Sequence, residues 1–403
     1  MSLTPVPVAL KALLDSVPGP TPAETLPLAH CAGRVLAQDV AALRTQPPFA
    51  NSAMDGYAAR ATDLTPGKEL KVVGESAAGR GFAGSIGPGE TVRIFTGAPI
   101  PDGADAILIQ EHAEGVGGPV IRVTKPASKG QFIRPAGLDF QISEILLKAG
   151  RRLDSAALGL AAAAGHPTLS VRRKPLVAIL ATGDELVLPG EPVGPDQIVA
   201  SNSFALAALI EQAGGTALDL GIARDNHPDL AAKIDAARQA GADVLVTLGG
   251  ASVGEHDLVQ AALKAQGMAL GFWKIAMRPG KPMMMGRLGA MVALGLPGNP
   301  VSSIVCGHLF AMPLVEALLG IADPERDRSE PAILAADLPA NDERQDYLRA
   351  TIETIDGERH VRPFAKQDSS MLANLSRAEA LVIRPAFAEP AKAGDPCRII
   401  RLR

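Results

Sequence analysis

The chain has 403 residues, 47% of them hydrophobic but only 3% aromatic, and a formal net charge of −4. That length exceeds one ordinary domain and gives several cores, built mainly from Ala, Val, Leu and Ile rather than from rings. The 41 Gly and 33 Pro are scattered, not periodic, which excludes collagen-like and low-complexity sequence; no Lys/Arg run is dense enough for a nucleic-acid track, and no uninterrupted apolar run approaches the ~20 residues that span a bilayer.

In chain order, the opening stretch MSLTPVPVALKALLDSVPG reads as a short amphipathic helix rather than a signal peptide, because no basic segment precedes a long apolar one. Residues 46–138 hold short β-like runs at 70–74, 91–94, 106–110 and 120–123, punctuated by Gly and Pro; they predict a separate β-rich domain. The Ala-rich stretch 154–165 is helical by propensity. Arg172-Arg173-Lys174 reads as a solvated junction.

From 176 to 320 strands and helices alternate. The spacing predicts strands at 176–181, 216–222 and 243–248, helices at 203–212 and 228–239, a further helix, a strand at 272–277, a hairpin about 286–289 and a last helix from Pro300. Such alternation implies right-handed βαβ units and a mostly parallel sheet, with ligands beyond the carboxyl ends of the strands. The tail after 331, with strands at 347–353 and 380–384, predicts a small β-barrel. Cys31, Cys306 and Cys397 lie far apart with no CxxC pair, so reduced thiols in the cytoplasm are expected.

Polar motifs fall at the predicted strand ends. Gly249-Gly250-Ala251-Ser252 follows a strand and precedes a helix; such a turn lets backbone amides approach an anion, although Gly-rich strand-to-helix turns also occur without ligands. Asp184 and Glu185 end another strand, where two carboxylates suit Mg²⁺ held through water or a simple turn cap. Lys274, Arg278 and Lys281 share the loop KIAMRPGKP, whose prolines forbid helix; they suit an oxyanion or solvent. Pro297, Asn299 and Pro300 suit a helix start, with Asn299 as N-cap and Ser201-Asn202 capping the helix at 203. Asp55, Thr96, Arg134 and Asp139 occupy polar islands in the first third of the chain. The seven His contain no HExxH, so no zinc site is expected.

Taken together, FANSAMDGYA, TGAPIPDGADAI, ATGDEL, GGASVGEHD, KIAMRPGKP and GLPGNPVSS occur in the order found in the molybdopterin molybdenumtransferases. The chain thus resembles the MoeA family, to which the C-terminal domain of gephyrin is similar. The resemblance implies a multidomain α/β plus β protein. It comprises an elongated linking segment (1–45 and 139–171), an inserted β-rich domain (46–138), a doubly wound, mostly parallel α/β pterin-binding domain (172–328) and a C-terminal β-barrel (329–403). It implies a homodimer whose site is shared between subunits, insertion of molybdate into adenylylated molybdopterin with release of AMP, and Mg²⁺ as cofactor.

Carried over by matching motif, Asp55, Asp139, Asp184, Glu185 and Asp257 are the expected catalytic carboxylates, with Asp184 and Glu185 on Mg²⁺. Substrate binding is expected of Thr96, Arg134, Asp225, Gly249, Gly250, Ser252, Lys274, Arg278, Lys281, Pro297, Pro300 and Ser370. Leu138 and Arg278 depart from the family's usual Glu and Lys. Molybdopterin adenylyltransferase and molybdoenzyme acceptors are the expected partners, with neither nucleic acid nor membrane. Two other readings share parts of this pattern. The simple molybdopterin adenylyltransferases share the α/β domain but lack the inserted and C-terminal domains; a gephyrin-like scaffold would not need Asp55, Glu185 and Asp257.

Overall fold

The computed structural model describes residues 3–250 and 258–403. The first helix, Val6–Asp15, buries Val6, Ala9, Leu13 and Leu14. Val6, Ala9 and Leu13 pack into the α/β core, together with Val35 of the linking segment. The chain then pairs Ala23–Pro27 antiparallel with Thr168–Arg172 and Val40–Ala41 with Ile145–Leu147. Sequences more than a hundred residues apart therefore close one elongated unit, whose core is Cys31, Leu36, Leu153, Ala157 and Val171. Helix Ser155–Ala163 caps it, with the Asp154 carboxylate accepting the Ala157 N–H.

Between these halves lies a six-stranded sheet ordered Ala106–Ile109, Gly56–Ala59, Glu90–Ile94, Glu69–Ser76, Val120–Val123, Ala113–Glu114. Strand Gly56–Ala59 was absent from the predicted runs: its segment reads as a polar island, yet all four residues are buried. Gly56 is required there, because a Cβ would stand 2.0 Å from the Leu108 carbonyl oxygen.

The α/β unit has the strand order Thr216–Ala223, Leu176–Thr182, Val244–Leu248, Met291–Leu296, Pro282–Leu288, Ala269–Lys274. The first four strands are parallel; Pro282–Leu288 runs antiparallel to both of its neighbours, so Ala269–Lys274 at the edge points the same way as the first four. Helices cover both faces over cores such as Ile179, Val246, Leu294 and Phe310 on one side and Leu180, Leu230 and Leu245 on the other. The strand expected at 272–277 is divided. It ends at Lys274, and Met277–Arg278 instead joins Gln345–Asp346 of the C-terminal sheet, because the loop to Pro282 reaches across to that unit.

The C-terminal strands Gln345–Ile355, Glu358–Pro363, Ser329–Leu334, Pro396–Arg401 and Ala380–Arg384 close on themselves into a barrel. One continuous helix, Pro300–Leu318, is long and apolar enough to cross a membrane by length and composition alone. Yet 72% of its most apolar stretch is buried inside the protein, so it serves as a core helix. Arg172 and Arg173 are not a solvated run either: Arg173 pairs bidentately with Asp243 at 2.7 and 3.0 Å.

Candidate functional site

The parallel strands Leu176–Thr182, Val244–Leu248 and Met291–Leu296 end side by side, and a cavity of about 660 Å³ opens beyond them. Its walls are the loops that follow those strands (181–186, 248–250 and 297–300), the start of helix Asn202–Ala213, Asp225 and Pro282. This is the crevice that strand polarity dictates in an open α/β sheet. Gly249 makes the close joint possible: its φ is +99°, and a Cβ would lie 2.9 Å from Thr182 Oγ1. Gly249, Gly250, Pro297 and Pro300 all line the cavity.

The capping side chains behave differently from expectation. Asn299 holds the N-cap position but makes no capping bond; its Nδ2 donates to Ser369 Oγ at 3.1 Å. Asn202 is the first residue of its helix rather than part of a cap. Its Nδ2 donates to the Gly298 carbonyl oxygen at 2.6 Å. Ser303 Oγ donates to the Pro297 carbonyl oxygen at 2.5 Å. The Asn202 and Ser303 side chains both hold the Pro297–Pro300 loop.

One wall is acidic. Glu185 and Asp225 line it, and Asp184 stands behind, accepting the Asp225 N–H on Oδ1 at 3.2 Å. Desolvation, then the charges of Asp184 and Glu185, push the Asp225 carboxyl above its ordinary value. Among the described residues no three His, Cys, Asp or Glu side chains are grouped to hold a metal by themselves.

The loop after Ala269–Lys274 brings cations alongside. Lys274 pairs with Pro282, which lines the cavity, and Lys281 is exposed immediately before it. Neither ammonium has an ion pair among the described residues. Arg278 does not join them. Its Nε and Nη2 donate to Asp346 at 2.8 and 2.7 Å, its Nη1 to Asp342 at 3.2 Å and its Nη2 also to Asn341 at 3.1 Å. The guanidinium is thus bound to carboxylates of the C-terminal unit; like Lys274 and Lys281, Arg278 is not among the residues that line the cavity.

The other islands lie apart. Asp55 Oδ1 accepts both the Thr96 N–H (2.7 Å) and the Thr96 hydroxyl (2.8 Å), which hold its carboxyl below the ordinary range. Arg134 pairs with Asn51, and the Asp139 N–H donates to the Gln46 carbonyl oxygen; both side chains are exposed. None of these four lines the cavity. Ser252 and Asp257 fall outside the described residues.

Three domain families match in succession: the MoeA N-terminal region (domain I and II) over residues 4–165, the "Probable molybdopterin binding domain" over 178–317 and the MoeA C-terminal region (domain IV) over 331–402. The chain belongs to the MoeA family. Relatives named molybdopterin molybdenumtransferase include one from Haemophilus influenzae, 35% identical with 93% of each chain covered, and one from Nostoc, 36% identical over 88% of this chain and 83% of the relative. The crystal structure of the molybdopterin biosynthesis MoeA protein of Pyrococcus horikoshii covers 99% of both chains with 28% identity and a TM-score of 0.84.

The barrel reaches the α/β unit through the loop 367–370. Ser369 O accepts the Val301 N–H at 3.1 Å, and the Ser370 hydroxyl and N–H both donate to Asp368 Oδ1, at 2.6 and 2.8 Å. Ser370 itself sits at this rim rather than in the wall. Sequence reasoning missed Arg349, 1% exposed, whose Nη2 donates to the Asp368 carbonyl oxygen at 3.0 Å. Its signal was available: an arginine inside the otherwise apolar strand segment Tyr-Leu-Arg-Ala, where burial demands a partner.

Proposed function

We propose that this chain is a molybdopterin molybdenumtransferase, a transferase that joins molybdate to adenylylated molybdopterin and releases AMP, yielding the molybdenum cofactor. The observation that supports it most is the cavity at the strand ends, with carboxylates on one wall and, nearby, the cations Lys274 and Lys281, which have no ion pair among the described residues. Two anions must meet in this reaction, and cations in a partly dry cleft offset their repulsion. The metal's sulfur ligands come from the substrate, which agrees with a chain of only three scattered cysteines.

The carboxylate wall fits Mg²⁺. The ion usually keeps several waters and takes one or two carboxylates plus substrate phosphate, not an all-protein cage. Crowded charge around Asp225 is what a cation relieves. Asp184 and Glu185 would hold it, and the bound ion would polarise a phosphate oxygen. Lys274 and Lys281 draw in the anionic substrates, while Gly249, Gly250, Pro297 and Pro300 shape the cleft. Ser252 and Asp257 belong to the same assignment through their motif.

Asp55, Thr96, Arg134 and Asp139 act from a second copy of the chain, in a cytoplasmic homodimer whose inserted unit (46–138) faces the partner's α/β unit (172–328). The linking segment (1–45 and 139–171) and the barrel (329–403) position them. The adenylyltransferase that makes the substrate and the molybdoenzymes that accept the product are its transient partners.

The experiment is direct. Purified protein is mixed with adenylylated molybdopterin and molybdate, and AMP is measured by chromatography. Molybdate-dependent AMP release is expected; none from folded protein would overturn the proposal.

A further inference from the structure

Near its start the chain reads Leu3-Thr4-Pro5-Val6-Pro7. A residue before proline is driven to extended backbone, and proline suits the first turn of a helix, so the segment turns from strand to helix at Pro5. Both halves find partners. Helix Val6–Asp15 begins there, with the Ala9 N–H on the Pro5 carbonyl oxygen at 3.0 Å, and Val6, Ala9 and Leu13 are buried in the α/β core. Thr4, fixed by that anchor, forms a parallel bridge with Ile275. Its N–H donates to the Lys274 carbonyl oxygen at 2.8 Å, and its carbonyl oxygen accepts the Ala276 N–H at 2.7 Å.

Ala269–Lys274 is an edge strand of the α/β sheet, whose neighbour among the described residues is Pro282–Leu288. Thr4 covers the other side of its carboxyl end. Ile275, held between the two Thr4 bonds, donates its own N–H to the Lys281 carbonyl oxygen at 2.9 Å, and its side chain is fully buried. One clamped residue thus sets the backbone that carries both Lys274 and Lys281. Ala276 lines a cavity of about 400 Å³ together with Leu3, Pro5, Val6 and Pro7, so on this side the loop is held by hydrogen bonds more than by close packing. The barrel takes the remaining Ala276 group: the Gln345 N–H donates to its carbonyl oxygen at 2.9 Å.

We propose that Thr4 is a positioning residue of the site, a main-chain strap that aims Lys274 and Lys281 at the anionic substrates without contacting them. The role of the two lysines rests on the transferase reading; the strap adds the element that orders them. A lysine ammonium is a point charge on a flexible stem, so its hold on an anion depends on how firmly its backbone is supported. Both strap bonds are made by the Thr4 main chain. A substitution that removes the N–H therefore matters, and one that changes only the side chain does not.

The test compares full-length wild type with Thr4→Pro, Thr4→Ala and Lys281→Ala. Proline keeps an extended backbone but lacks the N–H that reaches Lys274; alanine keeps both main-chain bonds. Two quantities are read at a temperature where every variant is folded. One is the hydrogen exchange of the Ile275 and Ala276 amides, which reports local opening without any substrate. The other is the calorimetric affinity for adenylylated molybdopterin without molybdate, and for molybdate alone.

In Thr4→Pro the two amides should exchange at least about tenfold faster, and the affinity for at least one anion should fall about fivefold or more, the worth of one hydrogen bond. Thr4→Ala should match wild type in both. Unaltered exchange in Thr4→Pro overturns the proposal. So does faster exchange with unaltered affinity where Lys281→Ala binds weakly, because the lysines then find their anion without the strap. An equal loss in Thr4→Ala overturns it too, by giving the effect to the side chain. Wild-type affinity in Lys281→Ala as well as in Thr4→Pro would remove the cation assignment of the transferase reading, and the strap with it. If Thr4→Pro does not fold, Thr4→Gly, which loosens the same backbone, decides: both quantities should shift the same way by a smaller factor, and wild-type values there overturn the proposal equally.

Discussion

Replacing Arg278 by alanine separates two roles that its loop permits. The side chain makes two hydrogen bonds to Asp346 and further bonds to Asp342 and Asn341. Asp346 is nearly buried, its side chain 11% exposed, while that of Arg278 is 44% exposed. A fully buried pair broken from one side costs about 3–5 kcal/mol, because a charge is stranded; an exposed pair is worth about 0–1 kcal/mol. The mixed exposure places Arg278→Ala between them, at about 2 kcal/mol. Denaturant unfolding should show that loss, while KM for adenylylated molybdopterin stays within about twofold. Arg278→Lys should restore less than half of the stability, because an ammonium cannot make the bidentate contact. A double-mutant cycle with Asp346→Asn should return a coupling of similar size. Unchanged unfolding with KM raised about tenfold or more would refute the reasoning and return Arg278 to the substrate.

The other predictions concern the cavity itself. Glu185→Ala should abolish molybdate-dependent AMP release from a folded protein, and so should Asp55→Ala; heterodimers of the two variants should recover about half of wild-type activity if sites are shared between subunits and independent, whereas no recovery in verified heterodimers would place both residues in one chain's site. Lys281→Ala should weaken substrate binding by roughly tenfold to a hundredfold with an unchanged melt; an unchanged affinity would make Lys281 a solvated surface residue. Asp225→Asn tests the acidic wall by pH. The folded carboxyl lies above the ordinary aspartate value of 3.8, so the ionised form is penalised in the fold at pH above the folded pKa and the penalty vanishes below the unfolded one. Asparagine should therefore raise Tm at about pH 7 and leave it unaltered at about pH 3; equal melts at both would show that the three carboxylates do not sense one another.

Much of the fold was legible because period and punctuation are local signals. Apolar runs bounded by Gly and Asp mark Leu176–Thr182, Thr216–Ala223 and Val244–Leu248, and Gly214 at φ +98° ends helix Asn202–Ala213 where the sequence places it. Strand Gly56–Ala59 was not legible. Its Gly-Tyr-Ala-Ala sequence has neither alternation nor branched residues, and it is a strand because its neighbours on both sides supply hydrogen bonds and the glycine admits the Leu108 carbonyl. Tertiary pairing of that kind overrides propensity. The caps failed for a related reason. Asn202 and Asn299 each have a local role available, but their amide groups are oriented by donating Nδ2 to acceptors of distant loops, the Gly298 carbonyl and the Ser369 hydroxyl.

The same limit governs the site. Lys281 and Arg278 lie three residues apart in one Pro-Gly turn, and their charge gives no ground for treating them differently. What divides them is Asp346, 68 residues further along the chain, which takes Arg278, while Lys281 has no ion pair among the described residues. A cation's role in a cleft is set by which carboxylate reaches it first, and that is a property of the packing of two units rather than of either motif. The pairing also explains the geometry. Met277–Arg278 extends the barrel sheet while Lys274 and Pro282 remain in register on the α/β sheet, so one loop is pinned at both ends. The Arg278–Asp346 bonds fix where the Lys281 backbone lies, and hence where its ammonium can reach. Arg278 is therefore expected to influence substrate binding only by way of Lys281, which is why its removal should cost stability before affinity.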